Sequence, residues 1–208
     1  MPERIVSIRP MTLEDLDPVV AIHERSFPGF FLTTLGSSFL RLFYRALLQF
    51  DGSLAWVACV HQEVVGCVVG VPDHRVFHSF LRRRFAITGA VRVVRTLLRT
   101  PSVALRLLRA YRSSGPQLPH AEGPLLMSIA VDPERSGNGV GKQLLSAFAA
   151  DLAGRGYPAF RLTTDRYANT RVNGFYESAG MTLERTYATP EGRWLNQYVY
   201  HLHPEAKP

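Results

Sequence analysis

Apolar residues recur along the chain at two spacings, which predict a succession of strands and helices. Alternating apolar and polar positions indicate a half-buried strand, whereas apolar residues three and four positions apart indicate an amphipathic helix. Helical spacing is clearest over residues 32–49, and a capping sequence at Thr12 opens another helix that runs to about Ser26. Further helices are predicted over residues 140–155 and 170–179, and strands over residues 5–9, 54–60, 64–71, 124–131, 159–163, 182–189 and 194–203.

The order of these elements predicts an α/β fold with a mixed sheet. Residues 124–163 read as strand, helix and strand, and such a short connection makes a right-handed parallel crossover. The runs at 54–60 and 64–71 are close enough to form an antiparallel hairpin. Residues 73–123 interrupt the pattern, so we expect one domain over residues 1–208 with a helical insertion at about 73–123.

The net charge of +7 originates in this insertion. Between residues 74 and 121 there are ten arginines and no acidic residue, so the rest of the chain is slightly acidic. Residues 78–112 have helical spacing, with a break expected at Thr100-Pro101. The arginines interrupt every apolar run that approaches the roughly 18 residues needed for a membrane span.

Several functions are open for the basic segment. It suits an anionic membrane surface, a phosphate-bearing acceptor, a dimer or partner interface, or a solvated helical lid. Nucleic-acid binding is not favoured, because the segment has few aromatic residues for base stacking. The two cysteines lie in apolar runs and no secretory signal is seen at the N-terminus, so we expect a cytoplasmic protein, with peripheral membrane attachment as an option. No metal site is predicted.

A glycine-rich loop follows the strand at 124–131 and opens directly into a helix. Glycines at 137, 139 and 141 allow close approach to backbone N–H groups at the positive end of a helix, which is a favourable place for phosphate. A Walker loop is excluded because Gln143 follows Gly141-Lys142, where a hydroxyl is needed. The spacing also departs from the dinucleotide fingerprint, which requires G-x-G-x-x-G. A phosphorylated cofactor of another class is therefore expected.

Two segments resemble the GNAT acetyltransferase superfamily. Residues 131–141, VDPERSGNGVG, followed by Leu144 and Leu145, resemble its acetyl-CoA loop, whose core is Q/R-x-x-G-x-G/A. Residues 169–181, NTRVNGFYESAGM, resemble the second block, N-x-x-A-x-x-L/F-Y-x-x-x-G-F. The Gln or Arg position of the first block falls on Ser136, and Arg135 stands one place earlier.

The resemblance implies a GNAT-like fold and a site for acetyl-CoA. The central sheet would be mostly antiparallel with helices on both faces, and parallel strands 125–131 and 159–164 would splay apart to admit the pantetheine arm. Main-chain groups of Ile129 and Val131 would pair with that arm. The residues implied in cofactor binding are Ile129, Ala130, Val131, Arg135, Ser136, Gly137, Asn138, Gly139, Val140, Gly141, Asn169 and Tyr176. Asn169 suits an N-cap of the next helix equally well.

The resemblance also implies that Tyr176 protonates the departing thiolate, although a packed aromatic beside Phe175 is the alternative reading. An ammonium acceptor must first lose a proton. Thr164 stands where some relatives carry a glutamate base, and Asp165 points to the opposite face of its strand. Glu122 is our choice of base, because it lies just before the strand that would carry the thioester. The alternatives to Glu122 are His23, Glu24 and His120.

We therefore expect an N-acetyltransferase that moves acetyl from acetyl-CoA to a primary amine of a small molecule. Transfer would be direct, in a ternary complex, because no Cys or Ser stands at a recognisable nucleophile site. Residues 27–33, with three phenylalanines, fall where the family's acceptor pocket lies. A nucleotide-linked amino sugar and a protein N-terminus or lysine are alternative acceptors. A non-catalytic acyl-CoA-binding module, tethered by the basic helices, is the alternative from another functional class.

Overall fold

The computed structural model describes residues 5–84, 123–189 and 192–202. These residues form one seven-stranded mixed sheet in the order β1-β2-β3-β4-β5-β7-β6. The strands are β1 (Val6–Pro10), β2 (Leu54–Val60), β3 (Glu63–Val71), β4 (Leu125–Val131), β5 (Ala159–Asp165), β6 (Thr182–Ala188) and β7 (Trp194–His201). The predicted α/β mixed-sheet fold class is confirmed, and each predicted strand agrees with an observed one to within two residues.

Helices cover both faces of this sheet. They are α1 (Leu16–Ser26), preceded by a 3-10 turn at Leu13–Asp15, α2 (Phe31–Thr34), α3 (Ser37–Leu48), a helical run α4 over residues 74–84, α5 (Val140–Gly154) and α6 (Thr170–Ser178). Side chains alternate between faces along a strand, and β3 shows this directly: Val68 packs with α5, whereas Cys67 and Val69 pack with α1 and α3. The two apolar cores therefore lie on opposite sides of the sheet.

The hairpin between β2 and β3 turns at His61 and Gln62. Both residues have positive φ, 50° and 69°, as a two-residue turn that matches the twist of its strands requires. The strands on either side pair in antiparallel register from Val60–Glu63 to Leu54–Gly70. The predicted hairpin is confirmed, and its turn is one residue shorter than the three that the sequence suggested.

The parallel strands β4 and β5 touch at one end only. Their register holds a single pair, Leu125 with Arg161, next to a bond from the Arg161 N–H to the Pro124 carbonyl at 3.0 Å. Beyond this point the strands separate, while β5 continues its antiparallel pairing with β7 as far as Asp165. The expected splay between residues 125–131 and 159–164 is present, and it opens toward the carboxyl ends of both strands.

One long helix predicted over residues 32–49 is wrong, because the segment forms two helices. Gly36 adopts φ +85° between α2 and α3, a conformation that an L-residue helix does not tolerate. The apolar spacing continues across the break and gave no sign of it.

The basic insertion is described only at its beginning. Residues 74–84 are helical, and the Asp73 side chain caps this run by accepting bonds from the Arg75 and Val76 N–H groups at 2.8 and 3.1 Å. The remainder of the predicted helix to 112, with its break at Thr100-Pro101, lies outside the described residues. Within the part of the chain that the structure describes, no helix is long and apolar enough to cross a membrane.

Candidate functional site

The glycine loop joins β4 to α5 and leaves backbone donors exposed. After Val131, Asp132 caps a 3-10 turn at Pro133–Arg135, and residues 136–139 are exposed. The first helical bond runs from the Gln143 N–H to the Gly139 carbonyl at 3.1 Å. The amides at the start of α5 before Gln143 therefore have no partner within their helix and point toward the loop. This arrangement is suited to an anion.

The three glycines of the loop are required for different reasons. Gly137 and Gly139 have φ of +89° and +75°, in the left-handed region that L-residues avoid. Gly141 is already helical, and a Cβ there would lie 3.2 Å from the Phe175 ring of α6. Gly137 and Gly139 shape the turn, whereas Gly141 lets α6 pack directly against the start of α5.

Main-chain groups of β4 face the gap beside β5. The Asp132 N–H bonds the Val65 carbonyl at 2.8 Å, and Val131 pairs opposite Gly66. Because antiparallel neighbours alternate between bonded and non-bonded pairs, the N–H and C=O groups of Ile129 and Val131 point away from β3. Consistent with this orientation, the Val131 carbonyl accepts a bond from Ser26 Oγ at 3.2 Å.

Ala130 and Met127 are placed differently in β4 from Ile129 and Val131. Ala130 pairs with Cys67, so its main-chain groups face β3, and its side chain is buried in the core below α1. The register between β3 and β4 shifts at Val69 and Gly70, which pair with Ser128 and Leu126 and leave Met127 as the extra residue of a bulge. The sequence contains no signal that reveals this bulge.

Asn169 lies at the start of α6 but does not cap it with its side chain. Its Nδ2 donates to Thr164 Oγ1 at 2.7 Å and to the Asp165 carbonyl at 3.1 Å, and Asn173 Nδ2 donates to the same carbonyl. These bonds fasten the end of β5 to α6. No described residue donates to Asn169 Oδ1, so this oxygen is the atom available to a ligand.

Tyr176 is 6% exposed and lies between Phe175 and Tyr198, at ring-centroid distances of 5.2 and 5.9 Å. Burial raises the pKa of the Tyr176 phenol well above its usual range, so the hydroxyl stays protonated at neutral pH. No described residue is hydrogen-bonded to this hydroxyl, and it is not among the enclosed unpaired atoms. The Tyr176 hydroxyl is therefore not engaged by any described residue.

A buried polar cluster lies beneath α1 on the other side of β4. His23 Nδ1 and the Tyr44 hydroxyl are 2.8 Å apart, and the His23 Nε2 and Ser128 Oγ atoms are enclosed without partners. Burial lowers the pKa of His23 to about 4, so the imidazole is neutral at pH 7. The sequence analysis selected His23 as an alternative base but did not select Tyr44.

The expected base and acceptor residues are divided between described and undescribed parts of the chain. Glu122 and His120 lie outside the described residues. Glu24 accepts a bond from Ser37 Oγ at 2.7 Å, which joins α1 to α3. The Phe27 ring centroid lies 4.8 Å from that of His23 and 5.4 Å from that of Phe30, so these rings form a tilted, edge-to-face cluster at the end of α1.

Several cations surround the loop. Arg25 pairs with Asp132 at 2.6 Å and fixes the end of α1 to the loop. Lys142 Nζ donates to the Ser178 carbonyl at 3.4 Å, whereas no ion pair is recorded for Arg135 within the described residues. The Arg171 guanidinium donates to Ser136 Oγ at 3.2 Å. Sequence reasoning did not select Arg171, although it lies inside the second motif block.

A comparison of the chain with models of known protein families found a match over most of its length. A family model described as Acetyltransferase (GNAT) family matches residues 16–181. A search of curated proteins found no match.

Solved structures with the same fold cover nearly the whole chain. The ribosomal-protein-S18-alanine N-acetyltransferase from Escherichia coli is 15% identical with a TM-score of 0.58, over 98% of this chain and 99% of that one. An N-acetyltransferase from Staphylococcus aureus Mu50 is 15% identical with a TM-score of 0.61, over 96% and 99%. Aminoglycoside 6'-acetyltransferase type Ii is 14% identical with a TM-score of 0.61, over 97% and 99%.

Proposed function

The chain belongs to the acetyltransferase (GNAT) family, and from this premise we propose that it transfers acetyl from acetyl-CoA to a primary amine of a small molecule. The observation that carries the proposal is the gap between β4 and β5, lined by main-chain groups of Ile129 and Val131 and leading from the glycine loop. A linear ligand with a phosphorylated end and an amide-containing arm suits both parts of this channel.

The residues present fit such a cofactor. Free amides at the start of α5 and the left-handed glycines 137 and 139 provide a cradle for a pyrophosphate. Within it, Ser136 and Asn138 line the exposed turn, Val140 contributes its backbone amide at the start of the helix while its side chain is buried, and Arg135 adds positive charge. Ile129 and Val131 offer main-chain groups that point away from β3 to the pantetheine amides, and Asn169 Oδ1 offers a further acceptor.

Acetyl-CoA supplies the acetyl group as a thioester, which is already activated toward an amine. In this proposal a main-chain N–H of β4 polarises the carbonyl where negative charge develops during attack. Tyr176 then donates its phenolic proton to the leaving sulfur. Its raised pKa keeps the hydroxyl protonated at neutral pH, so it can hydrogen-bond the leaving sulfur as charge develops there, and the proton that it gives up is replaced by one lost from the acceptor ammonium.

Direct transfer is favoured over an acyl-enzyme on cysteine. Both cysteines of the chain, Cys59 and Cys67, are buried in the structure. Burial raises the pKa of the Cys67 thiol to about 12, so almost none of it is thiolate at neutral pH. The acceptor amine therefore attacks the thioester itself in a ternary complex.

The acceptor amine must lose a proton before it attacks. His23 is unsuited, because a group with a pKa of about 4 takes a proton from an ammonium only at a large cost. Glu24 is held by Ser37. Glu122 stays our prediction for the base, since it lies just before β4 in the sequence.

An acceptor screen tests the proposal. Thiol release from acetyl-CoA is measured with amino sugars, polyamines, amino acids, aminoglycosides and peptides, and products are identified by the mass gain of one acetyl group. Turnover with a small amine supports the proposal, and turnover with peptides alone moves the acceptor class to proteins. Tight binding of acetyl-CoA without turnover on any amine would refute the enzymatic reading and favour an acyl-CoA-binding module.

A further inference from the structure

We propose that Arg171 is the pyrophosphate-binding cation of this site and replaces the charge that Ser136 cannot supply. The inference rests on the proposed use of acetyl-CoA. It assigns a phosphate contact to the second motif block, 35 residues along the chain from the loop that the glycines define.

Ser136 occupies the position at which the related motif carries Gln or Arg. Its hydroxyl donates to the Pro133 carbonyl at 2.9 Å and accepts from Arg171 Nη2 at 3.2 Å. A serine side chain has neither the length nor the charge to hold a phosphate in the manner of an arginine. The guanidinium above it has both.

The packing of α6 on α5 places Arg171 over the loop. Phe175 follows Arg171 by four residues, and residues at this spacing share one face of a helix. Phe175 meets Gly141 so closely that a Cβ there would lie 3.2 Å from its ring. The face of α6 that carries Arg171 therefore lies toward the start of α5, where Arg171 reaches the Ser136 hydroxyl.

The charge of Arg171 is not neutralised by the described residues. Asp132, which follows β4, pairs with Arg25, and Asp165, the last residue of β5, pairs with Arg193. Among residues 5–84, 123–189 and 192–202, the recorded partner of the Arg171 side chain is the neutral Ser136 hydroxyl. The guanidinium is thus free to bind an anion.

Its position is electrostatically unfavourable without an anion. Arg171 lies in the first turn of α6 and next to the first turn of α5, so the positive ends of two helices and a cation converge. A pyrophosphate between them would relieve this repulsion and form charge-assisted bonds with the guanidinium.

Direct binding tests the inference without an acceptor substrate. Dissociation constants for acetyl-CoA and for 3'-dephospho-acetyl-CoA are measured by calorimetry on the full chain for wild type, Arg171→Ala, Arg171→Gln and Arg171→Ala/Ser136→Arg. Arg41→Ala, which removes an exposed arginine of α3 paired with Asp17, controls for the loss of net charge. Thermal melting verifies that each variant is folded.

We expect both Arg171 variants to bind either ligand about tenfold to a hundredfold more weakly, which is the range for loss of a charged hydrogen bond. Arginine at 136 in the double variant should restore affinity to within about threefold of wild type, whereas Arg41→Ala should not change it.

Three results would overturn the inference. Arg171 variants that bind within twofold of wild type would remove Arg171 from the site, and a loss confined to acetyl-CoA would assign Arg171 to the 3'-phosphate. A double variant as weak as Arg171→Ala would exclude the replacement of charge at 136. If the wild type binds neither ligand, the proposed use of acetyl-CoA fails instead, so the two failures are distinguishable.

Discussion

Replacing Tyr176 with phenylalanine removes a proton donor and changes almost nothing else. The ring keeps its contacts with Phe175 and Tyr198, and no described residue loses a hydrogen bond. We therefore expect the free energy of unfolding to change by less than about 0.5 kcal/mol. Loss of a general acid typically lowers a rate by about a hundredfold to ten-thousandfold, which is roughly 2.7 to 5.4 kcal/mol of transition-state stabilisation.

Tyr198→Phe is the matched control, because it removes the same atom from the neighbouring ring. The Tyr198 hydroxyl donates to Asn173 Oδ1 at 3.1 Å or to Glu177 Oε1 at 3.0 Å, within a side chain that is fully buried. Its removal should cost about 1 to 2 kcal/mol of stability. For a chain of this length that cost corresponds to a fall of about 2 to 8 °C in Tm.

The two variants should thus show opposite behaviour. With the best acceptor of the screen, Tyr176→Phe should lower kcat and leave both Tm and the dissociation constant of acetyl-CoA near wild type. Tyr198→Phe should lower Tm and leave kcat near wild type. Equal kcat in Tyr176→Phe and wild type would refute the role of the hydroxyl, and a drop in kcat that only parallels lost folding would assign Tyr176 to packing.

Three further predictions concern the base, the loop and acid stability. Glu122→Gln should lower kcat/KM about a hundredfold and remove the acidic limb of its pH profile, and an unchanged profile would exclude Glu122 as the base. Gly139→Ala should lower the free energy of unfolding in urea by about 1 to 2 kcal/mol, because the backbone φ at 139 is +75°. Gly174→Ala inside α6 is the control and should raise the free energy of unfolding by up to about 1 kcal/mol. Equal effects of the two substitutions would contradict a left-handed turn at Gly139. Burial lowers the pKa of His23 from 6.5 to about 4, so the unfolded chain binds a proton between these values that the folded chain does not. The contribution of His23 to the free energy of unfolding should be fully present above about pH 6.5 and should be lost as the pH falls toward 4. His23→Gln should therefore make the decline of stability with falling pH shallower. An identical slope in the variant and the wild type would show that His23 does not titrate in this way.

Most helices and strands could be predicted from the sequence, because alternation, helical spacing and capping involve residues that are close together in the chain. Alternation located the hairpin of β2 and β3, and a capping sequence at Thr12 located the first helix, where Thr12 N–H and Oγ1 both bond Asp15 Oδ2. The break at Gly36 was missed because the apolar spacing of α2 continues into α3 without a change of phase. A single left-handed glycine interrupts the backbone but not the pattern of side chains.

The parts of the site that sequence reasoning missed depend on contacts between distant segments. The bulge at Met127 is visible only in the register of β4 against β3, and the Arg171 contact only once α6 has packed on α5. Asn169 was expected at the ligand or at the helix cap, yet its amide binds Thr164 and the Asp165 carbonyl. Residue type indicated that Asn169 would make hydrogen bonds, but it could not specify their partners.

The two motif blocks, residues 131–141 and 169–181, contact each other at two points. Gly141 from the first block contacts Phe175 from the second, and Ser136 from the first bonds Arg171 from the second. A bulky side chain at 141 would meet the Phe175 ring, and we expect the displacement of that ring to shift the face of α6 that carries the guanidinium. Because a substitution at 141 keeps the backbone amide, we expect it to affect cofactor binding through the position of Arg171. A larger residue at 141 should weaken binding in the wild type, yet add little to the loss already caused by Arg171→Ala, a non-additivity that measures the connection between the blocks.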